Sequence, residues 1–470
     1  MYPIIVLSIT GLITLFLGLE NPKSKTILPA TLFFLLVALA SNLLDWNQPG
    51  TYFNNMIAMT NGTILVQSII ILATLSVVLI SSGQFTDESS HPAEYYALMQ
   101  FAIVGAIIMV SFNNMIMLFL GLEILSIALY VLTGSDKSNL RGNEAALKYF
   151  LMGAFATGIL LFGMAMLYGA TGSFDLGSGA SSLAGAPAVN KVFFYIGIVF
   201  TLIGLLFKIS AAPFHFWTAD VYQGAPTVFT AFMATVVKAG VIFAIYRLFA
   251  SSFVFEYPFW SKIVIGIVAL SLVIGNVTAV LQDNFKRILA YSSISQAAFM
   301  LMAFLGLVSR SGVINEKVFG NLAFYSASYV LATVAALGVL IVVSKNSLKD
   351  GRPNENVEVF NGLFKRNPDL AIILFIAMLS LSGIPLTSGF WGKFFVFNDA
   401  ISRGYLWILI LAILMSAVSL YYYFKPVLAS FKASTEEPVE VKPLQKFVLY
   451  LSAILTVALG LAPALLRDMF

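Results

Sequence analysis

Apolar residues run along this chain in blocks long enough to cross a lipid bilayer, and short polar stretches separate them. Windows of about twenty apolar residues recur at 3–19, 27–44, 60–82, 95–112, 114–133, 144–170, 192–216, 226–250, 260–282, 286–308, 318–344, 369–397, 404–429 and 446–466. The pattern predicts an all-α polytopic membrane protein with about 14 transmembrane helices, a single transmembrane domain over 1–470. No soluble domain fits between the spans. The longest connections are Ser344 to Asp369, rich in charge, and Gly172 to Asn190, whose Gly, Ser and Ala content predicts a flexible loop.

Two spans carry helix breakers. Span seven reads Leu206-Phe207-Lys208-Ile209-Ser210-Ala211-Ala212-Pro213-Phe214-His215-Phe216-Trp217, and span twelve reads Leu381-Ser382-Gly383-Ile384-Pro385-Leu386-Thr387-Ser388-Gly389-Phe390-Trp391-Gly392-Lys393. Each proline lacks a donor and clashes with the carbonyl four residues back, which frees the carbonyls of Ile209 and Leu381. At membrane depth such groups are tolerated only against protein or in a wet cavity. The broken spans lie five helices apart, and an odd offset reverses orientation. This predicts two inverted five-helix repeats, helices 4–8 (residues 95–250) and helices 9–13 (260–429). They are flanked by three N-terminal helices and a loop (1–94) and a C-terminal helix (446–470).

Basic residues orient the spans. Of 26 Lys and Arg, sixteen fall on the side of the loops after odd-numbered spans and seven on the other, leaving three unassigned. The positive-inside rule places the odd loops in the cytoplasm and both termini outside. The start, Met1-Tyr2-Pro3-Ile4-Ile5, has no basic region or small-residue cleavage pattern and reads as a retained first helix.

The three unassigned residues are Lys208, Lys238 and Lys393, each inside an apolar span, and Glu123 stands ten residues into span five. A charge at the bilayer centre costs at least ~2.5 to 3.5 kcal/mol on insertion scales, so four mark either a structural lock or an ion path. Pairing cannot neutralise three lysines with one glutamate. A desolvated lysine has a lowered pKa and can exchange a proton near neutrality, which suits the set to a proton relay. Against this stand a helix-locking ion pair for Glu123 with Lys208 or Lys238, and snorkelling of Lys393 to the interface. His215 lies two turns after Lys208, nominally on the same face, and is read as a relay extension or as a structural imidazole. Glu144 and Lys148 are spaced for a surface ion pair. Asp283, Lys286 and Arg287 read as interfacial anchors, and Tyr421-Tyr422-Tyr423 as part of an aromatic belt.

Composition narrows the chemistry. The chain is 59% hydrophobic and 10% charged, with no cysteine and two histidines. Thiolate-held iron–sulfur clusters, zinc knuckles and a bis-histidine haem are thereby disfavoured. A net charge of +4, evenly spread, points away from nucleic acid.

The chain resembles the antiporter-like membrane subunits of respiratory complex I over nearly its whole length. The resemblance is carried by Phe207 to Trp217, by Asp220-Val221-Tyr222-Gln223-Gly224-Ala225-Pro226-Thr227 and by Lys286-Arg287-Ile288-Leu289-Ala290-Tyr291-Ser292-Ser293-Ile294. Glu144-Ala145-Ala146-Leu147-Lys148-Tyr149-Phe150 and Ser382-Gly383-Ile384-Pro385 agree. It implies fourteen helices, inverted repeats and a proton channel in which Glu123 and Lys208 form a coupled pair, Lys238 is central and Lys393 terminal. It also implies that NADH, FMN, iron–sulfur clusters and quinone are handled by partner subunits, with no cofactor or metal in this chain. A lysine at 393 and an end at Phe470 directly after span fourteen set the chain apart from the M-type and L-type branches and align it with the N-type. The departure is in span ten, where the family usually has a histidine and this chain reads Ser295-Gln296. The rival reading is a subunit of a multisubunit sodium/proton antiporter, which shares the fold and the charged motif.

Overall fold

Helices form where the apolar blocks lie, and polar residues mark their ends. The structure, a computed structural model, describes residues 1–20, 25–85, 91–177, 187–309, 312–345, 347–349, 352–433 and 437–467. The helices are α1 (Tyr2–Glu20), α2 (Ile27–Leu43), α3 (Asn61–Ile80), α4 (Pro92–Ser111), α5 (Met115–Thr133), α6 (Leu140–Thr171) and α7 (Ala188–Lys208). There follow α8 (Thr218–Gly224), α9 (Thr227–Ala250), α10 (Tyr257–Val280), α11 (Phe285–Ala303), α12 (Lys317–Ser344), α13 (Pro368–Ser382), α14 (Ser388–Ser402), α15 (Leu406–Ser430) and α16 (Pro443–Leu461). Twelve spans among the described residues are long and apolar enough to cross a membrane, and Ile27–Leu43 and Pro368–Ser382 are shorter apolar helices. The protein is an all-α polytopic membrane protein.

Side chains fix several helix starts. Asn114 accepts from the Ile116 amide at 3.0 Å, Asn284 from Arg287 at 3.1 Å and Asn367 from Leu370 at 3.1 Å, each satisfying an orphan donor of a first turn. Pro368 follows Asn367 at the first helical position, where its missing N–H costs nothing. Helices α4 and α5 meet backbone to backbone, because a Cβ on Gly105 would stand 2.6 Å from the Gly121 carbonyl and one on Gly121 2.7 Å from that of Gly105. In a bilayer, such small-residue crossings supply the packing that hydrophobicity cannot.

Both predicted breaks are present. Span seven is helical only to Lys208, and residues 209–217 run as turns through Ser210, whose φ of 64° is left-handed. Span twelve is divided into α13 and α14 at Gly383, φ 85°. Three of the helices between the breaks form the centre of the bundle: α9, α11 and α12 are buried on almost every side, whereas α1, α6 and α15 turn Phe16, Phe155 and Trp407 outward.

Three expectations change. Tyr422 and Tyr423 are buried and only Tyr421 faces outward, so the triplet is not a belt. Lys286 is an interior residue: it pairs with Glu355 at 2.6 Å and donates to the Ala225 carbonyl at 2.7 Å, which ties α11 to the connection after α12. The stretch after Gly172 begins ordered, with the Phe174 carbonyl accepting from Met115 at 2.8 Å; residues 178–186 lie outside the described residues.

At the edge of the bundle, Lys148 reaches Glu144 at 2.7 Å and Asp220 at 2.9 Å, and Arg287 reaches Asp220 at 2.9 Å. Burial pushes the Asp220 carboxyl up, but the hydrogen bonds and charges of Lys148 and Arg287 bring it below the ordinary carboxylate range. A group held low contributes stability above its unfolded pKa and loses it as pH falls through the folded one. Asp220→Asn is therefore expected to lower stability by no more than about 1 kcal/mol, since the side chain is 40% exposed. Melting curves of the purified protein should show that difference unchanged from roughly pH 5 to 8 and vanishing only below about pH 4.

Candidate functional site

Each of the three unassigned lysines is buried inside protein, with 2%, 2% and 4% exposure for Lys208, Lys238 and Lys393. None snorkels. Lys208 is the last residue of α7, at the negative end of that helix. Its ammonium donates to the Tyr130 hydroxyl at 3.4 Å and lies 5.0 Å from the ring centres of both Tyr130 and Tyr149. Tyr149 stacks on Trp217 at 4.6 Å, and Trp217 donates to the Phe207 carbonyl at 3.1 Å, so the break itself positions the aromatic wall. Two aromatic faces stabilise a cation without a counter-charge.

Glu123 stands two turns from Tyr130 on the same face of α5. It is half-buried, its Oε1 has no hydrogen-bond partner, and no basic group among the described residues reaches ion-pair distance. The expected Glu123–Lys208 pair is thus not a direct contact: Tyr130 is the residue that meets Lys208 from α5. The structure also separates His215 from the face of Lys208. His215 lies in the turns after α7, stacked on Phe216 at 4.7 Å, with Nδ1 buried and unpartnered. The shared-face argument fails because the helix stops at Lys208.

Lys238 follows a π-helical stretch, Met233–Val237, in the otherwise α-helical α9. Such bulges re-aim the side chains beyond them and are frequent at functional sites. Its ammonium donates to the Ser293 carbonyl of α11 and lies 5.7 Å from the Tyr329 ring centre of α12. Lys393 of α14 donates to the Ser382 carbonyl at 2.8 Å and to Ser416 Oγ at 3.5 Å, with the Phe299 ring centre 4.7 Å away. Ser382 closes α13, so Lys393, like Lys208, sits at the C-terminal end of a half-helix. Gly383 makes room: a Cβ there would meet Lys393 Cδ at 2.7 Å.

Polar side chains of α11, α12 and α15 fill the space between Lys238 and Lys393. Ser292, neighbour to the carbonyl that holds Lys238, shares a hydroxyl contact with Tyr423. Gln296 donates to Tyr423 Oη at 3.0 Å and to the Leu381 carbonyl at 2.9 Å, and accepts from Tyr325 Oη at 2.6 Å. The carbonyl freed by Pro385 is therefore taken by Gln296, and the next carbonyl, Ser382, by Lys393. Beside them Asn276 donates to Ser295 Oγ at 3.0 Å and accepts from Tyr422 Oη at 2.9 Å. Sequence reasoning missed Tyr130, Tyr149, Tyr325 and Tyr423, since each meets its partner across helices distant in sequence. The one signal was the departure at Gln296.

Residues 112–419 match the family described as NADH:quinone oxidoreductase/Mrp antiporter, transmembrane. The chain is 40% identical over 456 residues to NADH-quinone oxidoreductase subunit N of Flavobacterium johnsoniae, covering 95% of each. Among solved structures, a chain of respiratory complex I from Thermus thermophilus is 35% identical with a TM-score of 0.84, over 99% of this chain and 98% of that one. A chain of the Mrp complex from Dietzia, 19% identical with a TM-score of 0.85 over 99% of this chain and 95% of that one, shares the fold.

Proposed function

The chain belongs to the NADH:quinone oxidoreductase/Mrp antiporter transmembrane family, and on that premise we propose that it moves protons as a membrane subunit of an NADH-quinone oxidoreductase. NADH oxidation on FMN, transfer through iron–sulfur clusters and quinone reduction belong to partner subunits of the complex. This subunit supplies the proton path.

The carrying observation is that three buried lysines have aromatic rings, hydroxyls and carbonyls as direct partners, and no carboxylate among the described residues lies within ion-pair distance of them. A lock would pair them with charge. Under the proposal a proton on Lys208 is held by its aromatic wall and by the field of Glu123. Loss of that field lowers the lysine's affinity, and the proton moves through Lys238 to Lys393 and leaves on the outer side. His215 stands on the side of the break opposite α7 and serves, at most, as an extension toward the cytoplasm.

Two interrupted spans, one ending at Lys208 itself and the other presenting its Ser382 carbonyl to Lys393, support an inverted repeat of residues 95–250 and 260–429. The excess of basic residues on one face supports an inner-membrane orientation with both termini periplasmic. The sodium/proton antiporter alternative rests on a likeness that reaches the fold alone. Purification from native membrane separates the two: co-elution with flavin- and iron–sulfur-bearing subunits, and NADH-driven acidification in proteoliposomes with quinone, are expected. Sodium/proton exchange by the purified protein without NADH would replace this reading with the antiporter.

A further inference from the structure

A second buried acid in the membrane region stands apart from the residues already described. Asp399 lies on α14, six residues beyond Lys393, or about 9 Å along the axis at 1.5 Å per residue. It is 3% exposed, and no cation among the described residues lies within ion-pair distance. Both carboxylate oxygens accept from one neutral donor, Asn321 Nδ2 of α12, at 3.0 and 2.9 Å. Asn321 Oδ1 is left without a partner. The turn that ends α11 closes over the site, since a Cβ on Gly306 would meet the Asp399 carbonyl at 2.6 Å. A buried acid without an ion pair at such a place is costly and, by default, functional.

Its surroundings lead back to the lysines. Asn321 and Tyr325 are one turn apart on α12. The Tyr325 ring covers Gly392, the neighbour of Lys393, so closely that a Cβ there would stand 2.5 Å from it. Its hydroxyl is the one that donates to Gln296. On the far side lies the end of the bundle that carries Glu316, Arg403 and Arg467, with the Arg467 guanidinium 4.4 Å from the Phe395 ring centre.

We propose that Asp399 is the outlet carboxylate of the path: an N–H bond of protonated Lys393 breaks, an O–H bond forms on Asp399, and that bond breaks as the proton passes to the outer solvent. The carboxylate is restored at each cycle. This rests on the relay proposed above. The competing role is a tie between α14 and α12, and it makes a different demand, because an amide at 399 would still hydrogen-bond Asn321.

The test uses the whole complex in proteoliposomes with NADH and quinone. Asp399→Asn is expected to assemble and to lose proton pumping, and Asp399→Glu, which returns the carboxyl, to recover it. Normal pumping by an assembled Asp399→Asn complex overturns the proposal. Lys393→Ala run in parallel separates the two levels: if it also pumps normally, the relay itself is wrong; if it alone is inactive, only the outlet is. Should Asp399→Asn fail to assemble, Asn321→Ala decides. Among the described residues the groups facing Asp399 are Asn321 from α12, the Gly306 backbone from the turn after α11 and the charge of Arg467 from the short helix Ala464–Arg467. Removing the Asn321 donor favours the protonated acid, so the pH profile of pumping should move to higher pH. An unchanged profile overturns the proposal.

Discussion

Complexes carrying Lys208→Ala or Lys238→Ala are expected to assemble and to pump few protons or none. Assembly follows from what each lysine touches. Lys238 donates to a single backbone carbonyl, that of Ser293 in the middle of α11, which the helix already pairs with an amide, so its removal takes one added donor from a neutral group, a cost of no more than about 1–3 kcal/mol. Removing one partner of a buried ion pair costs more, about 3–5 kcal/mol, and would threaten the fold. Lys208 has a hydroxyl and two rings as direct partners, so the same reasoning applies. The loss of pumping follows from energy scale. Carrying one charge against about 200 mV costs about 4.6 kcal/mol. That equals a swing of roughly 3.4 pKa units, which an alanine cannot provide. Proton uptake measured against NADH oxidation in sealed vesicles reads the effect. An assembled Lys238→Ala complex that pumps at the native rate would sink the assignment.

The helices, the two breaks and the lysines were legible in the sequence because each is a local property. An apolar run fixes length, a proline fixes the break, and a lysine in such a run is conspicuous by cost. What meets each lysine was not legible. Tyr130 and Tyr149 reach Lys208 from α5 and α6, and Tyr423 reaches Gln296 from α15, contacts that depend on how helices pack. The expectation for Tyr422 and Tyr423 failed for the same reason, since a tyrosine near the end of a span has the same sequence signature whether it faces lipid or a buried asparagine. Lys286 failed differently: its depth depends on Glu355, 69 positions along the chain in a connection with no span of its own.

Gln296→Leu is expected to cut proton pumping roughly ten-fold or more, the effect of about 1.4 kcal/mol or more in a barrier, while Gln296→His retains it. Leucine matches the volume but leaves the Leu381 carbonyl and the Tyr325 hydroxyl without their partner and removes one of the two contacts that fix Tyr423. Each buried orphan costs about 1–3 kcal/mol, so Tyr325 and Tyr423 would turn to other partners. The contact between the Lys238 side, through Ser292, and the Lys393 side, through the consecutive carbonyls of Leu381 and Ser382, would then be lost. Glutamine takes no proton near neutrality; its part is to hold two tyrosine hydroxyls and one carbonyl in a fixed arrangement. Histidine has one donor and one acceptor in its neutral form and restores that arrangement in part, adding a group that itself titrates. Tyr423→Phe is the companion measurement, because it deletes only the hydroxyl shared by Ser292 and Gln296 and leaves the ring packed. If Gln296→Leu and Tyr423→Phe both pump at the native rate in assembled complexes, protons pass from Lys238 to Lys393 without α11, and the polar residues there only hold the broken end of α13.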